Sequence, residues 1–177
     1  ITVNDNVRIA AGDDGIFFRS RMVGVATVEN LLPVFATTRS VSLDIGQNAE
    51  LSGGSIYFVL QAEDKSLSDT IGAGAEISNF LLDPVTDLIG DALAFPVKVL
   101  VKQSRATITL QHGAKILSTG TVGMYATAGA DASGSASSSM ISIGYGQATA
   151  HADIDIQSDV EITAAEAVVI TSTGNAT

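Results

Sequence analysis

This chain has no cysteine and no tryptophan, only three prolines, and aromatic residues make up just 5% of it. Without cysteine there is neither a disulfide framework nor a thiolate metal site, although that alone does not fix the compartment. Basic residues are scarce too: nine Lys and Arg face nineteen Asp and Glu, a net charge of −10. Such a balance argues against nucleic acid and against anionic membranes, because phosphates need a basic surface. It is compatible with cation binding or a calcium-rich medium, and equally with plain solubility. No apolar run is long enough for a transmembrane helix, so no membrane insertion is expected. The chain opens on Ile1 without a basic-then-apolar leader, which suggests a processed product or a piece of something longer.

What is present is apolar but small. Residues of the hydrophobic class make up 46% of the 177 positions, drawn mainly from Ala, Val, Ile and Leu beside seventeen glycines. β-Branched residues favour strands, and small ones allow close stacking of sheets. The length suits one domain with a sizeable core, and we expect a single repeat domain over 1–177.

Self-comparison organises the chain. "ITVNDNVRIAAGDDGIFF" from Ile1, "LDIGQNAELSGGSIYFVLQA" from Leu43, "ITLQHGAKILSTGTVGMYATA" from Ile108 and "IDIQSDVEITAAEAVVITS" from Ile154 share one pattern. Each begins apolar-x-apolar, passes a mostly polar triplet, and resumes apolar-x-apolar. The triplets are Asn4-Asp5-Asn6, Gly46-Gln47-Asn48, Gln111-His112-Gly113 and Gln157-Ser158-Asp159. Asn, Asp and Gly tolerate the left-handed backbone of a tight corner. A third apolar stretch follows in each copy: "GIFFRS", "SIYFVLQA", "TVGMYATA" and "AVVITS". Short strands joined by a recurring corner predict a parallel β-helix, or β-solenoid, with one side of each strand in the core. A β-sandwich with accidental repeats is the alternative.

The copies are spaced by 42, 65 and 46 residues. A plain rung takes roughly 20–30 residues, so each repeat is either two rungs or one rung with a long excursion. "SMISIGYGQATAHADIDI" (139–156) alternates throughout and, with "VGMYATAGADA" (122–132), reads as a long hairpin leaving and re-entering the coil. Its face of small residues predicts close packing on another sheet. The middle repeat carries an insertion of about 20 residues, located by the likeness of "ENLLPVFATTRS" to "NFLLDPVTDLIGDALAFPVKVLVKQSR". Within it, Asp83-Pro84 reads as a helix start, and Val85, Leu88, Ile89, Ala92 and Leu93 recur at helical spacing. A short helix over 83–94 is expected there, lidding the solenoid or holding a neighbouring copy.

One-rung repeats bring Arg8, Glu50, Lys115 and Glu161 into a column of alternating sign. Opposite charges on stacked strands help modestly, whereas like charges would oppose stacking.

Chemistry is harder to find. His112 and His151 are the only histidines and lack a second His or Cys to complete a zinc site. There is no G-x-S-x-G elbow and no phosphate loop. Asp13/Asp14 and Asp153/Asp155/Asp159 are the acidic groupings worth testing, because β-helical polysaccharide enzymes use clustered Asp with a basic partner. Asp153 and Asp155 point the same way from one strand, but no basic partner accompanies them within their repeat, so a solvated acidic edge or weak Ca2+ binding is the better expectation. No catalytic residue, cofactor-binding residue or metal ligand is assigned.

From Ile108 to Ala164 the chain resembles the repetitive regions of giant bacterial exoproteins and filamentous-haemagglutinin-like adhesins. The resemblance lies in composition and repeat style. It implies a right-handed β-helix, secreted or at the bacterial cell surface, serving as stalk, adhesin or matrix component. Two function classes follow. The first is a non-enzymatic structural or adhesive segment that associates with identical or neighbouring repeat units. The second is a module that binds or modifies surface polysaccharide.

Overall fold

The computed structural model describes residues 1–25, 34–65, 97–132 and 143–177. Twelve strands carry these residues. They are β1 (Thr2–Val3), β2 (Arg8–Ala10), β3 (Ile16–Val25), β4 (Val34–Ile45), β5 (Glu50–Gly53), β6 (Ile56–Lys65), β7 (Val97–Leu110), β8 (Lys115–Ser118), β9 (Val122–Ala130), β10 (Ile143–Ile156), β11 (Glu161–Ala164) and β12 (Val168–Ala176). They form three four-stranded sheets: sheet A in the order β1-β4-β7-β10, sheet B in the order β2-β5-β8-β11, and sheet C in the order β3-β6-β9-β12. All neighbouring strands are parallel. The chain thus visits the sheets in turn four times, and each visit adds one tier. The architecture is all-β and compatible with a solenoid-like stack.

Each repeat is one tier. Leu43 pairs with Ile108, and Ile108 with Ile154. Ile9, Leu51, Ile116 and Ile162 form one column, and Ile16, Ile56, Val122 and Val168 another. The repeats are therefore not accidental, as the sandwich alternative required. The alignment of the two unequal connections also holds in its described half, where Phe35 pairs with Leu100 and Ser40 with Arg105.

The corners explain why the columns stay in register. The third residue of every triplet has a positive φ: 58° at Asn6, 53° at Asn48, 72° at Gly113 and 60° at Asp159. Those residue types accept that conformation most readily. Its N–H donates to the next tier each time, from Asn6 to Gln47, Asn48 to His112 and Gly113 to Ser158. Alternation then turns Leu43, Ile45, Leu51, Ile56, Phe58, Ile108, Leu110, Ile116, Val122 and Met124 inward, where none exposes any surface. Phe18 stacks on Phe58 with ring centroids 5.7 Å apart.

Sheet B strands are three or four residues long, whereas those of A and C reach nine to fourteen in the inner tiers. Beyond the three-sided core, A and C therefore continue face to face. The small residues make that approach close: a Cβ on Gly174 would lie 2.9 Å from the Ala150 carbonyl oxygen. The small-residue face of β10, at Gly146 and Ala150, thus packs within this chain against the sheet C side.

One expectation needs amendment. Among the described residues, 122–132 and 143–156 do not pair as the expected hairpin: β9 pairs with β6 and β12, and β10 with β7, all parallel. Alternation identifies a strand and its faces but not its partner, and the ladder to the neighbouring tiers takes the edges that a hairpin would use. The helix expected at 83–94 lies outside the described residues.

Candidate functional site

The most regular outer feature is the charged row on sheet B. Arg8 pairs with Glu50, Glu50 with Lys115, and Lys115 with Glu161. Arg8 Nε lies 3.0 Å from Glu50, and Lys115 Nζ lies 3.6 Å from Glu161. Both pairs are solvent-facing, so each contributes only about 0.2–1 kcal/mol, screened by salt. Their greater effect is on register, since a one-tier slip would bring like charges together.

The acidic candidates do not converge. Asp13 and Asp14 are exposed in the turn between β2 and β3, where the Asp14 backbone carbonyl accepts a hydrogen bond from the Gly54 N–H. Asp153 meets His151 on its own strand at 3.1 Å, and Asp159 meets His112 of the preceding tier at 3.3 Å. Asp155 stands opposite Thr109. Among the described residues, no three acidic, histidine or cysteine side chains are grouped to hold a metal ion. Stacking does set Arg105 opposite His151, a basic neighbour 46 residues away that a search within one repeat misses.

A second polar group is enclosed between sheets A and C. Asp64, on β6, is 1% exposed and Lys102, on β7, is fully buried. The Thr37 hydroxyl donates to Asp64 Oδ2, and Arg39 Nε lies 3.8 Å from the same oxygen. Gly24 makes room for Arg39: a Cβ there would collide with the Arg39 guanidinium. Ser104, opposite Arg39, is 2% exposed. Burying ions is costly, and mutual attraction offsets that cost only with good geometry. The cluster therefore sets the relative position of sheets A and C more than it adds stability. The sequence reading missed it, yet a signal was present. Thr37 and Arg39 share the parity of Leu43, and Lys102 and Ser104 that of Ile108, so alternation alone points them inward.

The two ends of the stack form the third feature. The columns stay apolar down to the fourth tier and then stop. Val122 and Met124 are fully buried, but Val168 and Ile170 below them are 46% and 47% exposed. Ile156 is 40% exposed beneath a fully buried Leu110. Every residue of β12 is exposed. At the other end Ile1 is 47% exposed.

Comparison with known protein families, characterised proteins and solved structures gives no match.

Proposed function

We propose that this chain is a segment of a right-handed parallel β-helix. It serves as an extracellular structural or adhesive repeat of a larger bacterial surface protein or filament and self-associates through strand stacking. One observation carries the reading: four equivalent repeats lie as in-register parallel tiers over continuous inward columns such as Ile9, Leu51, Ile116 and Ile162. Columns built this way bury their apolar residues against neighbouring tiers of strands, not around a small solute. The handedness follows from the chirality of parallel crossovers, which are right-handed in nearly all sheets of L-residues.

The outer wall of sheet A supports a structural role over polysaccharide chemistry. Its outward positions include Thr38, Ser40, Ser42 and Asp44 on β4, Gln103, Arg105, Thr107 and Thr109 on β7, and Thr149, His151, Asp153 and Asp155 on β10. Most of these side chains are short and polar, and among the described residues no three acidic or histidine side chains converge. The bacterial, extracellular setting rests on the adhesin-like repeat style.

Electron microscopy of the native material tests the proposal. Fibres or stalks with a regular axial repeat are expected; isolated compact particles would overturn it.

A further inference from the structure

Sheet C has an outer wall unlike the other two. Alternation around the buried Ile16, Ile56, Phe58 and Met124 turns Phe17, Tyr57 and Tyr125 outward on three successive tiers. Phe17 meets Tyr57 edge-on, with ring centroids 6.3 Å apart and planes at 61°. Tyr57 and Tyr125 close over Gly123, where a Cβ would lie 2.6 Å from Tyr57 Cδ1 and 2.8 Å from Tyr125 Cε2. Val59 and Val169 fill neighbouring outward positions. Covering a glycine explains the lean of the two tyrosines, but it does not call for Phe17, which is exposed.

Charge changes sign on the same wall. The chain has a net charge of −10, yet the outward residues among 17–21, 57–61, 123–127 and 169–173 include Arg19 and Arg21 and no acid. On sheet B each base faces an acid on the next strand, whereas Arg19 faces Val59 and Arg21 faces Gln61. Acids border the wall instead. Asp13 and Asp14 lie in the corner before β3, and Glu63 accepts a hydrogen bond from Gln61 Nε2 at 2.6 Å. Outward side chains leave the stack sideways, so tiers added above or below adjoin the strand edges and leave this wall open.

We infer that this wall binds a carboxylated polysaccharide, with sugar rings against Phe17, Tyr57 and Tyr125 and carboxylates paired to Arg19 and Arg21. The inference rests on the adhesive reading above and deepens it, naming the class of target and the face that holds it.

The chemistry selects this occupant. A pyranose ring has an apolar C–H face that packs on an aromatic ring, while its carboxylate suits the planar fork of a guanidinium. An extended peptide docks on a sheet by adding a strand at its edge, but tier neighbours occupy both edges of β6 and β9. A second copy would bring the acids of sheet A. Asp44, Asp153 and Asp155 stand among Thr and Ser, however, and offer the rings no apolar counterpart. The platform is drawn from three repeats, so a search for aromatic residues within one repeat does not reveal it.

Affinity electrophoresis of the 177-residue chain in gels containing polygalacturonate, alginate or hyaluronan tests the inference. Salt at about 0.15 M confines the repulsion from the chain's other acids to about 8 Å. At least one of these polymers should retard the protein. Neither dextran, which is neutral, nor polyglutamate, an acidic polypeptide, should do so. Phe17→Ser and the double variant Arg19→Ser/Arg21→Ser should each weaken the binding roughly tenfold or more. Arg105→Ser, which removes a base from the sheet A wall, should leave it unchanged. All four positions are exposed, and circular dichroism checks that each variant is folded.

Retardation by none of the three polysaccharides would overturn the inference. Equal retardation by polyglutamate would do the same and point to an acidic polypeptide, and an equal loss from Arg105→Ser would point to diffuse charge attraction. Regular fibres that bind none of the polymers would remove the inference and leave the structural reading standing. Isolated particles in the native material would remove that reading itself.

Discussion

Gly146 on β10 faces the carbonyl oxygen of Ala132 so closely that a Cβ on the glycine would lie 2.6 Å from it. The far ends of sheets A and C are thus held at a spacing that only a hydrogen side chain permits at this point. The backbone angle places no demand on the residue; the neighbouring main chain does, and it cannot swing aside as a long side chain would.

Gly146→Ala should therefore destabilise the fold by about 1–3 kcal/mol through overpacking. Gly129→Ala is the control, since a Cβ there would meet only Glu63 Cγ at 3.6 Å, an ordinary contact. It should be neutral or slightly stabilising, by about 0.4–1 kcal/mol, because the unfolded chain loses freedom. Urea denaturation of the two variants checks the contrast, and equal midpoints would contradict the close approach.

Met124 and Ile170 share one column but differ in cover, at 0% and 47% exposure. Met124→Ala should cost about 2–5 kcal/mol, the usual range for emptying a core position. Ile170→Ala should leave the stability of the isolated chain within about 0.5–1 kcal/mol. The same Ile170 change should reduce self-association in sedimentation velocity, so thermal melts and sedimentation respond in opposite order.

Asp64 accepts a hydrogen bond from Thr37 and faces Arg39 inside the stack. Asp64→Ala leaves the guanidinium and the hydroxyl without that acceptor, and should destabilise by about 1–3 kcal/mol. The lower end of the range reflects Arg39, whose side chain keeps 32% exposure and some access to water. Pairing the change with Arg39→Met should recover part of the loss, a coupling that a double-mutant cycle measures directly.

Lys115 stands in register between Glu50 and Glu161. Lys115→Glu would align three acids on adjacent strands and should lower stability by roughly 0.5–1.5 kcal/mol at low ionic strength. Lys115→Gln should cost less, and 1 M salt should shrink the difference between them. Chemical unfolding at two salt concentrations provides the measurement, and a salt-independent difference would argue against electrostatic stacking.

Much of this fold could be read from the chain because its determinants are local. Apolar residues two apart assign an inward and an outward face, and Asn6, Asn48, Gly113 and Asp159 mark corners that need a left-handed residue. Once four such copies recur, in-register stacking is the arrangement that buries the inward positions of the inner tiers, so the column of Leu43, Ile108 and Ile154 follows from pattern alone. Tertiary structure decided what pattern leaves open. It assigned β9 and β10 to different sheets, because alternation does not distinguish a hairpin partner from a tier neighbour. It joined Arg39, Asp64 and Lys102 within one interior although they are scattered over 63 residues of chain. It also left Val168 and Ile170 uncovered while sealing their twins, since burial depends on what lies in the next tier and no residue carries that information alone.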